Sequence, residues 1–217
     1  QVGNRAFGER LNHQCDPAAY RAAAVLLLTA PQTPLLFMGQ EWAASAPFRF
    51  FTDFGPELGK LVTEGRRREF GGFKLFADPA ARESIPDPQA LDTFLSSKLD
   101  WPEVGRPPHA GVLALYRRLL AWRRGCDGVT AARAGGPYRV HDLGGAVAVE
   151  YPRPGGGADV AVTAFDPGEY DLPAAGPADV VLSTEDADVT AGAMPVRAAG
   201  GRVRFARPGG AVLRAGG

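Results

Sequence analysis

Residues 33–42, Thr33-Pro-Leu-Leu-Phe-Met-Gly-Gln-Glu-Trp42, decide how the chain is read. Pro31 and Pro34 fence a short apolar run, Leu35–Met38, which closes on Gly39 and turns polar and aromatic at Gln40, Glu41 and Trp42. An apolar run of this length fits a buried strand or a helix segment equally by periodicity. The bounding prolines, the closing glycine and a helical stretch just before it favour a strand buried on both faces of a parallel sheet. In parallel α/β architectures ligands meet the carboxyl ends of the strands. Gln40, Glu41 and Trp42 occupy that place.

Upstream, Asp16 and Pro17 form a helix start, and AAYRAAAVLLLTA carries the helix to about Ala30. The opening stretch, Gln1–Gln14, is polar and punctuated by Gly3 and Gly8, a loop by composition. It already reads as a functional loop with no strand before it, and Gln1 stands where an initiator Met would. The chain is therefore expected to be the carboxyl-terminal piece of a longer protein.

Downstream, residues 41–107 are too long for an ordinary connection between a strand and a helix, so they are expected to carry structure and function of their own. The first part is dense in aromatics: Trp42, Phe48, Phe50, Phe51 and Phe54. Flat apolar faces beside polar tips suit a sugar ring, and Trp42 with one phenylalanine are the expected contributors; the remaining phenylalanines read as core. PELGKLVTEGRRREF reads as a surface helix whose basic end, Arg66–Arg68, suits the helix dipole, with Gly71 and Gly72 stopping it. Asp87–Leu99 offers a second short helix. Val112, Leu115, Leu119 and Trp122 then show the spacing of an amphipathic helix running from Pro108 to Gly125.

Beyond Gly125 the helical periodicity vanishes. Short alternating runs between glycines and prolines (PYRVHDL, AVAVEYPRP, DVAVTAFDP, DVVLST, GRVRFARP, AVLRAG) predict a small antiparallel β-sandwich, with a boundary near Gly125–Gly136.

The 217 residues balance 24 basic against 24 acidic side chains, with 45% hydrophobic and 9% aromatic content. That is the profile of an ordinary globular protein and lacks the basic excess of a duplex nucleic-acid binder. The longest apolar stretch, Ala22–Leu28, is far short of the ~18 residues of a membrane span, and no signal peptide is recognisable. Cys15 and Cys126, far apart and outside any metal-ligand spacing, read as reduced thiols of a cytoplasmic protein. No Ser-His-Asp order, phosphate loop, dinucleotide fingerprint or zinc spacing is present. The three histidines, His13, His109 and His141, are scattered and read as surface or satisfied residues.

QVGNRAFGERL, TPLLFMGQEW, PFRFFTDF, EGRRREF and the SKLDW segment together resemble the carboxyl-terminal part of malto-oligosyltrehalose trehalohydrolases, members of the α-amylase clan of (β/α)8 glycosidases. The resemblance spans about Gln1–Trp122; beyond it only an all-β tail matches. It implies an α/β plus all-β fold: the last part of a (β/α)8 TIM barrel over 1–125, with a long insertion after its final strand, and an antiparallel β-sandwich over 126–217. It also implies a retaining glycosidase that releases trehalose from maltooligosyl trehalose by cleaving the adjacent α-1,4 bond, with no cofactor or metal and no nucleic-acid or membrane partner. Such enzymes use two carboxyl groups about 5–5.5 Å apart, one as nucleophile and one as acid. The resemblance places both, and the Asp that stabilises the transition state, before Gln1. Glu9, Glu41, Asp53 and Glu57 have no spacing that fits those roles. By the same resemblance Gln1, Val2, Gly3 and Asn4 match a substrate-lining loop, with Gln1 and Asn4 able to hydrogen-bond sugar hydroxyls and Arg5 tying the loop to a carboxylate. Gln40 and Glu41 would orient the pocket, while Trp42 is expected to contact substrate on the strength of the aromatic run alone. The rival readings are a glucan branching enzyme or another α-amylase relative, and a non-catalytic glucan-binding or structural module.

Overall fold

The computed structural model describes residues 2–174 and 176–216. They fall into two compact units, one formed by 2–14 with 44–101, the other by 15–43 with 102–174 and 176–216.

Among the described residues the second unit is built on helices α1 (Pro17–Thr29) and α5 (His109–Gly125), a short α6 (Asp127–Arg133) and eight strands. Asp16 caps α1 as its sequence predicts, accepting from the Ala18 amide at 2.7 Å. Strands β1 (Arg139–Asp142), β2 (Ala146–Pro152), β3 (Ala158–Ala164), β8 (Gly209–Ala215) and β5 (Ala178–Ser183) form one sheet in that order. Strands β4 (Gly168–Asp171), β7 (Arg202–Phe205) and β6 (Arg197–Ala199) form a second. Every pairing is antiparallel.

Strand alternation divides the five-stranded sheet between two cores. Val160, Val162, Ala211 and Leu213 point to Tyr170, Val203 and Phe205 of the three-stranded sheet. Ala161 and Val212 point the other way, to Tyr20, Val25 and Leu28 of α1 and Leu115, Tyr116 and Leu119 of α5. The α1–β8 approach leaves no side-chain room at Gly210, where an added Cβ would lie 2.7 Å from that of Val25.

The strand expected at Leu35–Met38 does not form: residues 33–37 join no strand ladder among the described residues, Leu35 is 89% exposed and Met38 51%. A parallel strand needs neighbours on its edges to satisfy its amides, and among the described residues there is no parallel strand to pair with it. The segment instead leaves α1 through an arginine clamp. Arg123 of α5 donates to the carbonyls of Leu28 (3.0 Å), Ala30, Pro31 (3.2 Å) and Gln32 (2.7 Å), while the Tyr151 hydroxyl donates to Thr29 at 2.5 Å.

The first unit holds α2 (Pro56–Glu69), α3 (Pro79–Glu83) and α4 (Leu91–Leu95) with 3-10 turns between them. The helix expected over Asp87–Leu99 is confined to α4, because the Asp87 carboxylate is engaged by the Thr63 hydroxyl (2.7 Å) and the Gln89 amide (2.9 Å) in a turn before it. Phe70, Phe76 and Ile85 form this unit's small core.

Arg123→Lys should cost at least about 2 kcal/mol, since an ammonium cannot reach four separate carbonyls and leaves buried acceptors unpaired. Denaturant unfolding checks this; a loss under about 0.5 kcal/mol would contradict the clamp. In hydrogen exchange, the amides of 147–149 and 160–162 should exchange far more slowly than those of Leu35, Leu36 and Phe37, and comparable protection of the latter would show a ladder there.

Candidate functional site

Two short segments carry the residues singled out by sequence, one in each unit. In the second, Gly39 (φ 85°) opens a 3-10 turn, Gln40–Trp42, closed by Ala43 at φ 55°. Ala43 is the one non-glycine residue with positive φ among the described residues, a conformation that costs an alanine about 1–2 kcal/mol.

The turn is held by side chains that sequence reading did not select. The Tyr20 hydroxyl donates to the Gln40 carbonyl at 2.6 Å, and the Gln40 amide donates to the Tyr116 hydroxyl at 3.1 Å. The Gln40 side-chain oxygen in turn accepts from the Phe37 amide at 3.3 Å. Burial above all pushes the Tyr116 hydroxyl's pKa up, opposed by its hydrogen bonds with Gln40 and Tyr20. Glu41 is half-buried.

Trp42 is 3% exposed, and its indole donates to Glu103 Oε1 at 3.0 Å. His109 Nδ1 lies 2.9 Å from the Trp42 carbonyl; a carbonyl only accepts, so this nitrogen carries the proton. The other histidine nitrogen faces Glu103 Oε2 at 3.6 Å. Glu103 and His109 thus hold Trp42 by both ends. Glu103 and His109 lie 61 and 67 residues beyond Trp42, so nothing in the local sequence announces the pairing; a buried indole N–H requiring an acceptor is the one available hint.

In the first unit Val2, Gly3 and Asn4 form a turn, with Gly3 at φ 86° and Asn4 exposed. Gln1 lies outside the described residues. Gly8 anchors the loop: its carbonyl accepts the Phe48 amide at 2.8 Å, and an added Cβ would strike the Phe48 carbonyl oxygen at 2.4 Å. Arg10 donates to the Ala46 carbonyl at 2.7 Å. His13 accepts from the Arg10 amide through Nδ1 and reaches the Ala44 carbonyl through Nε2 at 3.1 Å, so both ring nitrogens have partners. Arg5 donates to the Gln14 side chain, an amide where a carboxylate was expected.

Arg66 departs most from its sequence reading. Expected at a solvated helix end, it is 9% exposed. One guanidinium nitrogen donates to the carbonyls of Gly3 (3.2 Å) and Arg5 (3.0 Å), the other to Glu69 (3.1 Å), and the group lies 5.0 Å from the Phe50 ring centroid and 4.7 Å from that of Phe70. Of the aromatic run, Phe48 and Phe51 meet edge-on at 5.7 Å and Phe51 meets Phe94 at 5.2 Å, while Phe50 and Phe54 are exposed. The two segments therefore differ in kind: a buttressed internal turn at 40–42 and an accessible polar loop at 2–5.

The fold resembles part of α-amylase family enzymes. A Salmonella typhimurium protein whose structure is described as that of a putative alpha amylase superposes with a TM-score of 0.75 and 31% identity over all of this chain and 34% of its own. A trehalulose synthase of Pseudomonas mesoacidophila superposes with a TM-score of 0.55 and 17% identity, over 94% of this chain and 40% of its own.

Within that class the sequence resembles malto-oligosyltrehalose trehalohydrolases over its first 57%. The Deinococcus radiodurans enzyme of that name is 58% identical over 127 residues, the Mycobacterium tuberculosis enzyme 43% over 124, and the Saccharolobus solfataricus enzyme 39% over 125. The chain spans about a fifth of the length of these relatives. No protein-family model matches it.

Ala43→Gly should be neutral to stabilising by up to about 1 kcal/mol, because relief of the left-handed strain offsets the loss of one methyl and added chain entropy. Thermal unfolding checks this, and a marked fall in midpoint would mean the methyl's packing outweighs the strain.

Proposed function

We propose that this chain is part of a malto-oligosyltrehalose trehalohydrolase, a retaining glycosidase of the α-amylase clan that releases trehalose from maltooligosyl trehalose. The observation that carries the reading is the 58% identity over 127 residues to a relative of that name. The superposition of the whole chain on part of a protein described as a putative alpha amylase supports the same class.

On this reading 1–125 is the carboxyl-terminal end of a (β/α)8 barrel and 126–217 is a β-sandwich tail domain. Residues 35–38 are the eighth barrel strand, which gains its parallel neighbours from the rest of the barrel; the exposure of Leu35 and Met38 supports this. Gln1, Val2, Gly3 and Asn4 line the substrate, and Asn4, exposed beside two anchored carbonyls, supplies hydrogen bonds to sugar hydroxyls. Gln40 and Glu41 orient the pocket. Trp42, with its indole fixed on Glu103, contributes by holding that turn.

The chemistry is double displacement: a carboxylate attacks the anomeric carbon while a carboxylic acid protonates the leaving oxygen, and water then releases the covalent glycosyl intermediate. The carboxylates that do this precede Gln1 in the intact enzyme, which works in the cytoplasm without a cofactor.

The test is trehalose release from maltooligosyl trehalose. The full-length parent should release it, and chain 1–217 alone should not. A parent that transfers glucan branches, or binds glucan without cleaving it, overturns the trehalohydrolase reading. Release by chain 1–217, undiminished in a Glu41→Gln variant, overturns the assignment of the catalytic carboxylates to the preceding part.

A further inference from the structure

We propose that Arg66 is a positioning residue for substrate, acting through Asn4. The inference rests on the reading of 1–4 as a substrate-lining loop. The side chain arises from α2, some sixty residues beyond the loop, yet one of its nitrogens binds the carbonyls of Gly3 and Arg5, the two residues that flank Asn4. Fixing both neighbouring peptides fixes the backbone from which the Asn4 side chain projects. Gly3, at φ 86°, offers the loop no stiffness of its own, since glycine populates many conformations. The rigidity has to come from outside.

The anchor is itself immobilised. Glu69 holds the second guanidinium nitrogen at 3.1 Å, and the rings of Phe50 and Phe70 lie within 5.0 Å of the guanidinium carbon. A planar fork between aromatic faces donates in fixed directions, which an ammonium on a flexible stem cannot reproduce. Arg66 itself is buried, so it reaches substrate only through the loop.

The experiment is a double-mutant cycle in the full-length enzyme with Arg66→Lys, Asn4→Ala and the pair, reading kcat/KM for trehalose release at matched folded fraction. Arg66→Lys should lower kcat/KM by about 10-fold or more, because small displacements of positioning groups are costly in rate. In the Asn4→Ala background the same change should cost less than about 2-fold, the signature of two residues acting as one. Equal factors in both backgrounds, or a fall in thermal stability with kcat/KM unchanged, overturn the proposal. Hydrogen exchange at the 3–5 amides gives a readout independent of activity: exchange should be faster in Arg66→Lys and unchanged in a surface variant such as Lys60→Ala. Unchanged exchange in Arg66→Lys also overturns it. Failure of the functional reading is separable, because a wild-type parent that releases no trehalose fails before any variant is made.

Discussion

Five consecutive backbone carbonyls, from Leu28 to Gln32, are satisfied by two side chains, and the course of the chain through its most informative stretch depends on them. The last carbonyls of a helix have no partners within it, and α1 cannot prolong itself because Pro31 and Pro34 follow. A guanidinium at this end meets both needs: it donates in several directions and sits where the helix dipole is negative. Burial is the main cause that lowers its pKa, with Arg133 adding to it. Since Arg123 comes from α5 and Tyr151 from β2, the clamp ties the end of α1 to the helix layer and the large sheet at once. The Gln40–Trp42 turn inherits its position from that exit.

The turn then adds constraints of its own. Ala43 is held left-handed against its preference, which persists only when neighbours over-determine the backbone. Those neighbours are Tyr20 on the Gln40 carbonyl and His109 on the Trp42 carbonyl, contributed by α1 and α5. The two helices whose apolar faces cover the sheet therefore also shape the polar turn, so packing and site geometry are linked through the same elements.

Much of this was legible in the sequence and some was not, for reasons that differ by element. Asp16-Pro17 announces α1, the 3.6-residue periodicity announces α5, and alternation announces β2, β3, β5, β7 and β8, because each rests on local chemistry. β4 holds one large apolar residue, Tyr170, and β6 none, so neither offers an alternation to read, and α6 follows α5 after a single residue. The 35–38 run has the composition of a strand, but pairing is a property of neighbours and cannot be read from the run itself. Trp42 shows a different limit: an amphipathic ring beside polar residues suits a sugar or a buried acceptor equally, and only the position of Glu103 decides which the folded chain offers.

The arginines carry the least legible part. Composition counts them among the 24 basic side chains of a neutral balance, and the run at 66–68 looks solvated. Yet Arg10, Arg66 and Arg123 are all buried, and each binds backbone carbonyls of a segment distant in sequence. The chain's 28 glycines and 19 prolines explain the need. Proline supplies no N–H and glycine favours turns, so irregular segments such as 2–14 and 28–34 hold carbonyls that no ladder or helix pairs. Five fixed donors on one side chain meet that surplus of acceptors better than any other residue. An arginine beside glycine- and proline-rich loops is thus as much a structural donor as a surface charge, and net charge is silent about which role it plays.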